Sequence, residues 1–239
     1  MSAPWRPERE YRSAPHEGTG VSHPAAAPPR PVDQVPARLV LLTSGGGGHC
    51  MHIAECIERG ELPGLQLAGI VTDNADAAVQ GKCAARGLRC DVVDFSTFPS
   101  RADFNRTLAE HVAALQPALV GLVGYLRIVR EPLLSAWQGR LFNLHPSLLP
   151  EYPGLDAIRR AYIDGRRRLG ATLHHVDAGI DSGRQIALQA VALTADATLD
   201  EAFRAVHHAE ATMLRAVLAC YDPVHGFPDR LLTWPDLRA

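Results

Sequence analysis

A chain of 239 residues with a formal net charge of -2 is long enough to form one globular domain with a sizeable core. This small net charge argues against a nucleic-acid partner, and no run approaches the roughly 18 apolar residues needed to span a membrane. The five cysteines form no Cys-x-x-Cys pair, and the sequence shows no secretory signal. We therefore expect reduced thiols in a cytoplasmic protein that has neither a nucleic-acid nor a membrane partner.

Residues 1–36 differ in composition from the rest of the chain. They hold eight of the 18 prolines, mixed with alanine, serine and charged residues, and almost no aliphatic side chains. Such a segment buries too little apolar surface to offset the entropy lost on ordering. The sequence predicts a disordered Pro/Ala-rich leader at 1–36, a folded domain at 37–222 and a C-terminal tail at 223–239.

From Arg38 onward, short apolar runs alternate with stretches of helical periodicity. In chain order, the pattern predicts strand 39–43, helix 50–59, strand 66–72, helix 75–86, strand 89–94, helix 101–115, strands 118–123, 141–144, 171–176 and 185–193, and helix 199–220. Because alternating strands and helices require crossover connections, we predict an α/β fold with a doubly wound, mostly parallel sheet and a long C-terminal helix.

A run of four glycines, Gly45–Gly48, follows the first predicted strand and precedes its helix. Glycines let a ligand approach the backbone closely, and the free N–H groups of a helix N-terminus attract phosphate or carboxylate groups. The run matches neither the dinucleotide-binding glycine spacing nor the P-loop. Two interpretations stay open, an anion site and a tight turn with no ligand.

Polar side chains at the end of the fifth strand are the strongest functional signal. Asn143 and His145 are two residues apart, so they point to the same face of the strand. Glycines on either side of Ile180 and Asp181 predict a tight loop that presents a carboxylate. An amide, an imidazole and a carboxylate could together stabilise an oxyanion and move a proton, which favours acyl transfer without a protein nucleophile. The alternative is that the histidine is only structural.

Two other classes of site are disfavoured. The sequence lacks the Gly-x-Ser-x-Gly turn of many serine hydrolases. The adjacent pairs His174-His175 and His207-His208 point in different directions on a strand or helix, so we predict no metal site.

The segments NLHPSLLPEYPG, from Asn143, and DAGIDSG, from Asp177, resemble the motifs of the folate-dependent formyltransferases, most closely those of the phosphoribosylglycinamide formyltransferases. The resemblance covers about residues 38–221. It implies a Rossmann-like formyltransferase fold and 10-formyltetrahydrofolate as co-substrate, with Asn143, His145 and Asp181 as the catalytic residues.

The same resemblance implies two binding regions. A strand at 124–129 and the backbone at 176–181 would form the folate pocket, with Leu126, Arg127, Ile128, Val129, Val176, Asp177, Ala178, Gly179 and Ile180 as its residues. The acceptor would contact Gly46, Gly47, Gly48, His49, Arg101, Asp156 and Glu210.

The sequence departs from the purine-pathway enzymes where those enzymes hold their acceptor. They typically carry Gly-Ser-Asn where this chain has Gly47-Gly48-His49, and His-x-His where it has Asp156-Ala157-Ile158. We therefore expect a formyltransferase acting on another small primary amine, in a specialised pathway. The alternatives are phosphoribosylglycinamide formyltransferase itself and, less favoured, a 10-formyltetrahydrofolate hydrolase. The sequence leaves a homodimer open.

Overall fold

The computed structural model describes residues 35–233, so residues 1–34 of the predicted leader and residues 234–239 of the predicted tail lie outside the described part. Within it, eight strands form a single sheet. They are β1 (Ala37–Thr43), β2 (Leu65–Thr72), β3 (Cys90–Val92), β4 (Leu119–Val123), β5 (Leu141–His145), β6 (Arg168–His175), β7 (Gln185–Ala192) and β8 (Leu232–Thr233).

The strand order is β3-β2-β1-β4-β5-β6-β7-β8. Strands β1 to β5 pair in parallel, whereas β6 is antiparallel to both β5 and β7, and β8 is parallel to β7. The mostly parallel, doubly wound sheet predicted from the sequence is confirmed. The chain reverses its winding between β1 and β4, and ligands of such sheets bind beyond the carboxyl ends of the strands at that point.

Six α-helices accompany the sheet in the described part. They are α1 (Gly48–Glu58), α2 (Val79–Arg86), α3 (Arg101–Ala114), α4 (Leu133–Ala136), α5 (Ala157–Ile163) and α6 (Leu199–Ala219). The long C-terminal helix is confirmed as α6, whose start is fixed by a capping box in which Thr198 and Glu201 bond reciprocally. No helix of the described residues is long and apolar enough to cross a membrane.

The short helices differ most from the prediction. Helix α2 begins four residues later than expected, because Asn74 Oδ1 accepts a hydrogen bond from the Asp76 amide at 2.9 Å and holds a turn there. Helices α4 and α5 were not predicted, since prolines and glycines surround both and mask a helical period. Helix α5 matters for function because it starts at the edge of the site described below.

The core lies on both faces of the sheet. Strand β1 is buried on both sides, which explains its unbroken apolar run. One face packs against α1 and α6, and the other against α3 and α4. Buried Phe227 and Leu232 belong to the first of these clusters, and β8 extends the sheet, so packed residues continue into the segment predicted as tail.

Candidate active site

Asn143 and His145 lie at the carboxyl end of β5, where the sequence placed them. Strand β6 runs antiparallel beside them, so that His174 lies directly opposite Asn143, and Thr172 opposite His145. Directly opposed residues of an antiparallel pair project from the same face. Two neighbouring strands therefore present the amide and two imidazoles to one side of the sheet.

Asp181 reaches the same point from the loop after β6. Its backbone has φ 51, an unusual conformation for a residue with a side chain. Its Oδ2 accepts a hydrogen bond from the Gly154 amide at 2.7 Å, and its Oδ1 accepts one from Asn143 Nδ2 at 3.1 Å. The loop is thus held in a strained turn that directs a carboxylate at the end of β5.

The environment keeps this carboxylate ionised. Burial alone would raise the pKa of Asp181, but hydrogen bonds from His174 and the Gly154 amide, and the charges of His145 and His174, lower it to about 2. His145 Nδ1 lies 3.4 Å from Oδ2, and His174 Nε2 lies 3.6 Å from Oδ1. The site therefore contains a negative charge at neutral pH, surrounded by groups able to share a proton with it.

His145 is fixed through its other nitrogen. Its Nε2 donates to the Tyr152 carbonyl at 2.9 Å, and its side chain is only 6% exposed. Nδ1 is therefore the ring atom that faces Asp181. A proton taken up on Nδ1 would lie between the imidazole and the carboxylate.

His174 is a site residue that the sequence analysis missed. Its Nδ1 donates to the His175 carbonyl at 2.8 Å, so Nε2 accepts from Asn143 Nδ2 at 3.1 Å in the neutral ring and donates toward Asp181 Oδ1 in the protonated ring. The amide of Asn143 is thereby oriented by two acceptors, His174 and Asp181. The β5–β6 pairing was the signal that could have revealed it, but the sequence analysis considered His174 only as half of an adjacent metal-binding pair.

A cavity of about 670 Å³ opens beside these residues. Asn143, His145, His174 and Asp181 all line it. So do eight of the nine residues predicted to bind folate, the exception being Ala178. Ala178 instead contributes its carbonyl, which accepts a hydrogen bond from Arg130 Nη1 at 2.7 Å.

Apolar side chains form one wall of this cavity although solvent reaches them. Leu126, Ile128 and Ile180 are 65%, 41% and 56% exposed. Exposed apolar groups around a concave site are typical of surfaces that bind an aromatic ligand. The strand predicted at 124–129 is not formed, because β4 ends at Val123 and Gly124 turns the chain with φ 74, so this wall is a loop.

Arg127 is fixed by two partners. Its Nε donates to the buried carboxylate of Asp73, and its guanidinium lies 3.7 Å from the centre of the Phe95 ring. Asp73 is almost fully buried, so this ion pair anchors the loop to the sheet. Arg127 therefore lines the cavity with its guanidinium already fixed by Asp73 and Phe95.

The residues predicted to contact the acceptor do not all line the cavity. Gly46, Gly47 and Gly48 are absent from the cavity wall, whereas the predicted acceptor residues His49, Arg101, Asp156 and Glu210 are part of it. Gly47 has φ 61, and a Cβ there would lie 2.3 Å from Val79 Cγ2. Only glycine fits that position, so the tight-turn interpretation explains Gly47 by itself.

Ile158 does not line the cavity. It is buried between α5, α6 and β6, in a small cluster with Ala161, Leu169, Ala202 and Val206. Of the departures noted at Asp156–Ile158, only Asp156 reaches the cavity, with φ 56 at the start of α5.

A second polar cluster, formed by His49, His207 and Glu210, lines the same cavity. His49 Nε2 and His207 Nδ1 both donate to Glu210 Oε2, at 3.1 and 2.6 Å. Burial alone would raise the pKa of Glu210, but the two hydrogen bonds hold it below its usual value, and the bond to Glu210 raises the pKa of His207. His207 was considered in the sequence only beside His208, so its meeting with His49 was not anticipated.

Comparison with known proteins gives a consistent result. Residues 37–218 match the model of the formyl transferase family. The phosphoribosylglycinamide formyltransferase of Bacillus subtilis is 32% identical over 173 residues, which are 72% of this chain and 88% of that protein. A crystal structure of glycinamide ribonucleotide transformylase 1 from Symbiobacterium toebii has a TM-score of 0.74 at 34% identity, covering 77% of this chain and 87% of that one.

A longer relative matches as well. The trifunctional purine biosynthetic protein adenosine-3 of Drosophila pseudoobscura pseudoobscura is 31% identical over 183 residues, which are 76% of this chain. The chain spans 13% of the length of that protein.

Proposed function

We propose an activity for this chain, which belongs to the formyl transferase family. It transfers the formyl group of 10-formyltetrahydrofolate to the primary amine of glycinamide ribonucleotide. The resemblance that the two motifs carry is confirmed at the level of the family, and 10-formyltetrahydrofolate is the co-substrate that the family uses. The observation that supports this activity best is the convergence of Asn143, His145 and Asp181 on one wall of a cavity large enough for a folate.

The folate end is supported by the exposed apolar loop. The side chains of Leu126, Ile128 and Ile180 could cover an aromatic ring on binding, which would bury apolar area at about 25 cal/mol per Å². The polar backbone at 176–181 supplies hydrogen-bonding groups at the same place. A flat heterocycle with a polar edge fits this combination.

Asp181 is the proton acceptor in this proposal. In the substrate-free geometry its Oδ1 is occupied by a hydrogen of Asn143 Nδ2. When negative charge develops on the formyl oxygen, Nδ2 can donate to that oxygen instead, which leaves Oδ1 able to take a proton from the attacking amine, directly or through water. Stabilisation of the oxyanion and removal of the proton are thereby linked through one amide group.

His145 supports the same step from the other side. With Nε2 bound to the Tyr152 carbonyl, a protonated Nδ1 can donate to the oxyanion or to Asp181. In the balanced reaction the amine nitrogen bonds to the formyl carbon, and the bond from that carbon to the folate nitrogen breaks. One proton leaves the amine and one reaches the folate nitrogen.

The choice of acceptor is the finer part of the proposal. The sequence favoured a specialised amine, but the named relatives support glycinamide ribonucleotide better. The start of α1 has no side-chain cap, so its backbone N–H groups could bind a phosphate. His49 at this helix start and Arg101 both line the cavity. The position of Ile158 in the core removes one of the arguments for a different acceptor.

Steady-state kinetics with 10-formyltetrahydrofolate test the proposal. We expect saturable formylation of glycinamide ribonucleotide, followed by mass spectrometry of the product, and weaker use of unphosphorylated primary amines. His145→Ala should abolish turnover, whereas His111→Ala, at an exposed position on α3, should not change it. A preference for an unphosphorylated amine would refute the acceptor, and release of formate without any formylated amine would favour the hydrolase.

Cytoplasmic location, the absence of a nucleic-acid partner and a homodimer stay predictions. Each follows from the sequence or from the family and not from a contact in the structure.

A further inference from the structure

We propose that His49, His207 and Glu210 bind one divalent transition-metal ion, with Zn²⁺ as the ion that suits these ligands. All three residues line the cavity that Asn143, His145 and Asp181 also line. This inference goes beyond the proposed function, because formyl transfer as proposed above uses no metal, although His49 and Glu210 are also residues predicted to contact the acceptor.

The positions of the three ligand atoms already approach those of a metal site. Glu210 Oε2 lies 3.1 Å from His49 Nε2 and 2.6 Å from His207 Nδ1, and all three atoms lie within 4.8 Å of one another. Zinc binds imidazole nitrogen and carboxylate oxygen at about 2.0–2.2 Å, so ligands of one tetrahedral ion lie about 3.3 Å apart. Both contacts to Oε2 are within about 1 Å of that spacing. Small side-chain rotations would therefore place an ion between the three groups.

The backbone holds these ligands on two helices. His207 and Glu210 are three residues apart on α6 and so share one face of that helix. His49 is the second residue of α1. Helix α6 is capped and packs against both β6 and β7, so the ligand pair rests on an ordered element.

Burial favours a paired charge at this point. Glu210 is only 3% exposed, and a buried carboxylate is retained in proteins when it is paired or coordinates a metal. His207 is 54% exposed at its side chain, which gives an ion access from the solvent side. Without an ion, the carboxylate depends on protons held by the two imidazoles, and a bound cation would replace those protons.

The ligand chemistry selects the ion. Two imidazoles and one carboxylate are typical of zinc sites that keep a fourth position open, whereas Mg²⁺ and Ca²⁺ prefer oxygen ligands. Here the open position would face the cavity. A water molecule, or an oxygen of the acceptor, could fill it.

The test measures metal binding and not formyl transfer. The untagged full-length chain is stripped with a chelator and titrated with ZnCl₂ by calorimetry, and separately with CoCl₂ by absorption spectroscopy. We expect one Zn²⁺ per chain and visible Co²⁺ bands of four- or five-coordinate intensity. His207→Ala and His49→Asn should each weaken Zn²⁺ binding by at least about tenfold. Losing a residue that only supports a zinc ligand already costs about that much, and these variants lose a ligand itself.

His208→Ala is the matched control, since His208 is the exposed neighbour of His207 on the same helix. It should bind Zn²⁺ with wild-type stoichiometry and affinity. Glu210→Gln is used only if its circular dichroism matches the wild type, because that position is buried.

Lack of stoichiometric Zn²⁺ binding, or equal binding by wild type, His207→Ala and His49→Asn, would overturn the metal site. Formyl transfer by the stripped enzyme is measured in parallel. Zinc binding without formyl transfer would support the metal site and refute the proposed function. Formyl transfer without zinc binding would refute the metal site and support the proposed function.

Discussion

Replacing Asp181 by asparagine removes one negative charge from the proposed catalytic cluster while keeping the size of the side chain. The wild-type carboxylate accepts from the Gly154 amide at 2.7 Å and from Asn143 Nδ2 at 3.1 Å. An asparagine has only one oxygen, so its NH₂ group must face one of these two donors. The variant therefore loses a hydrogen bond and the attraction of His145 and His174 together.

The lowered pKa gives the size of the effect on stability. A carboxylate whose pKa falls from 3.8 to about 2 on folding stabilises the native state by about 2 kcal/mol, at about 1.4 kcal/mol per unit. Because the folded pKa is the depressed one, this contribution is complete above the unfolded pKa and is lost as pH falls toward 2. About half of it should be gone by pH 3.

Urea unfolding between pH 3 and pH 7 measures this directly. Asp181→Asn should be less stable than wild type by about 2 kcal/mol at pH 7, and the difference should shrink by about half at pH 3. Asp76→Asn, at an exposed position, is the control and should track the wild type. The kcat of Asp181→Asn should fall by about 10² or more, since the proposed proton acceptor is gone. A stability difference that does not change with pH would show that the carboxylate is not held as described, and near-normal turnover would remove its catalytic role.

Three further predictions concern the scaffold of the site. Gly47→Ala should destabilise the fold by about 1–3 kcal/mol, because its Cβ would meet Val79 at 2.3 Å in a residue with φ 61. Gly48→Ala, whose added Cβ would have no atom within 4 Å, should leave the stability nearly unchanged. Thermal unfolding of both variants measures the difference. His174→Gln should lower kcat much more than it changes KM for the amine, because its Nε2 orients the amide of Asn143 that we propose to be catalytic; equal changes in both constants would contradict this. Thr198→Ala should cost about 1 kcal/mol through loss of the α6 cap, and an unchanged melting temperature would mean that the cap contributes nothing measurable.

The parts that could be predicted from the sequence are those fixed by local pattern. The unbroken apolar runs of β1 and β4 indicated buried parallel strands, and the spacing of Asn143 and His145 placed both on one face. The long helix α6 could be predicted because its apolar residues recur at helical spacing along 21 residues. Each of these features depends on residues close together in the chain.

The parts that could not be predicted depend on pairing between distant segments. His174 meets Asn143 because of the β5–β6 register, across 31 residues, and His49 meets Glu210 across 161 residues. The loop after β4 was wrongly predicted as a strand because its apolar residues face a ligand cavity and not a core. Apolar content alone does not separate those two environments.

The two ends of the cavity are built from different elements, and this separation explains how the sequence can keep one end while changing the other. The residues that we propose to be catalytic come from β5 and the loop that carries Asp181, and His174 on β6 orients one of them. The residues proposed to contact the acceptor include His49 at the start of α1 and Glu210 on one face of α6. No hydrogen bond in the described residues joins His207 or Glu210 to Asn143, His145 or Asp181. A substitution at His49 should therefore leave the contacts of those three residues unchanged. Acceptor choice and formyl chemistry should therefore respond to separate mutations, with changes at His49 or His207 altering KM for the amine, and changes at Asn143 or Asp181 altering kcat.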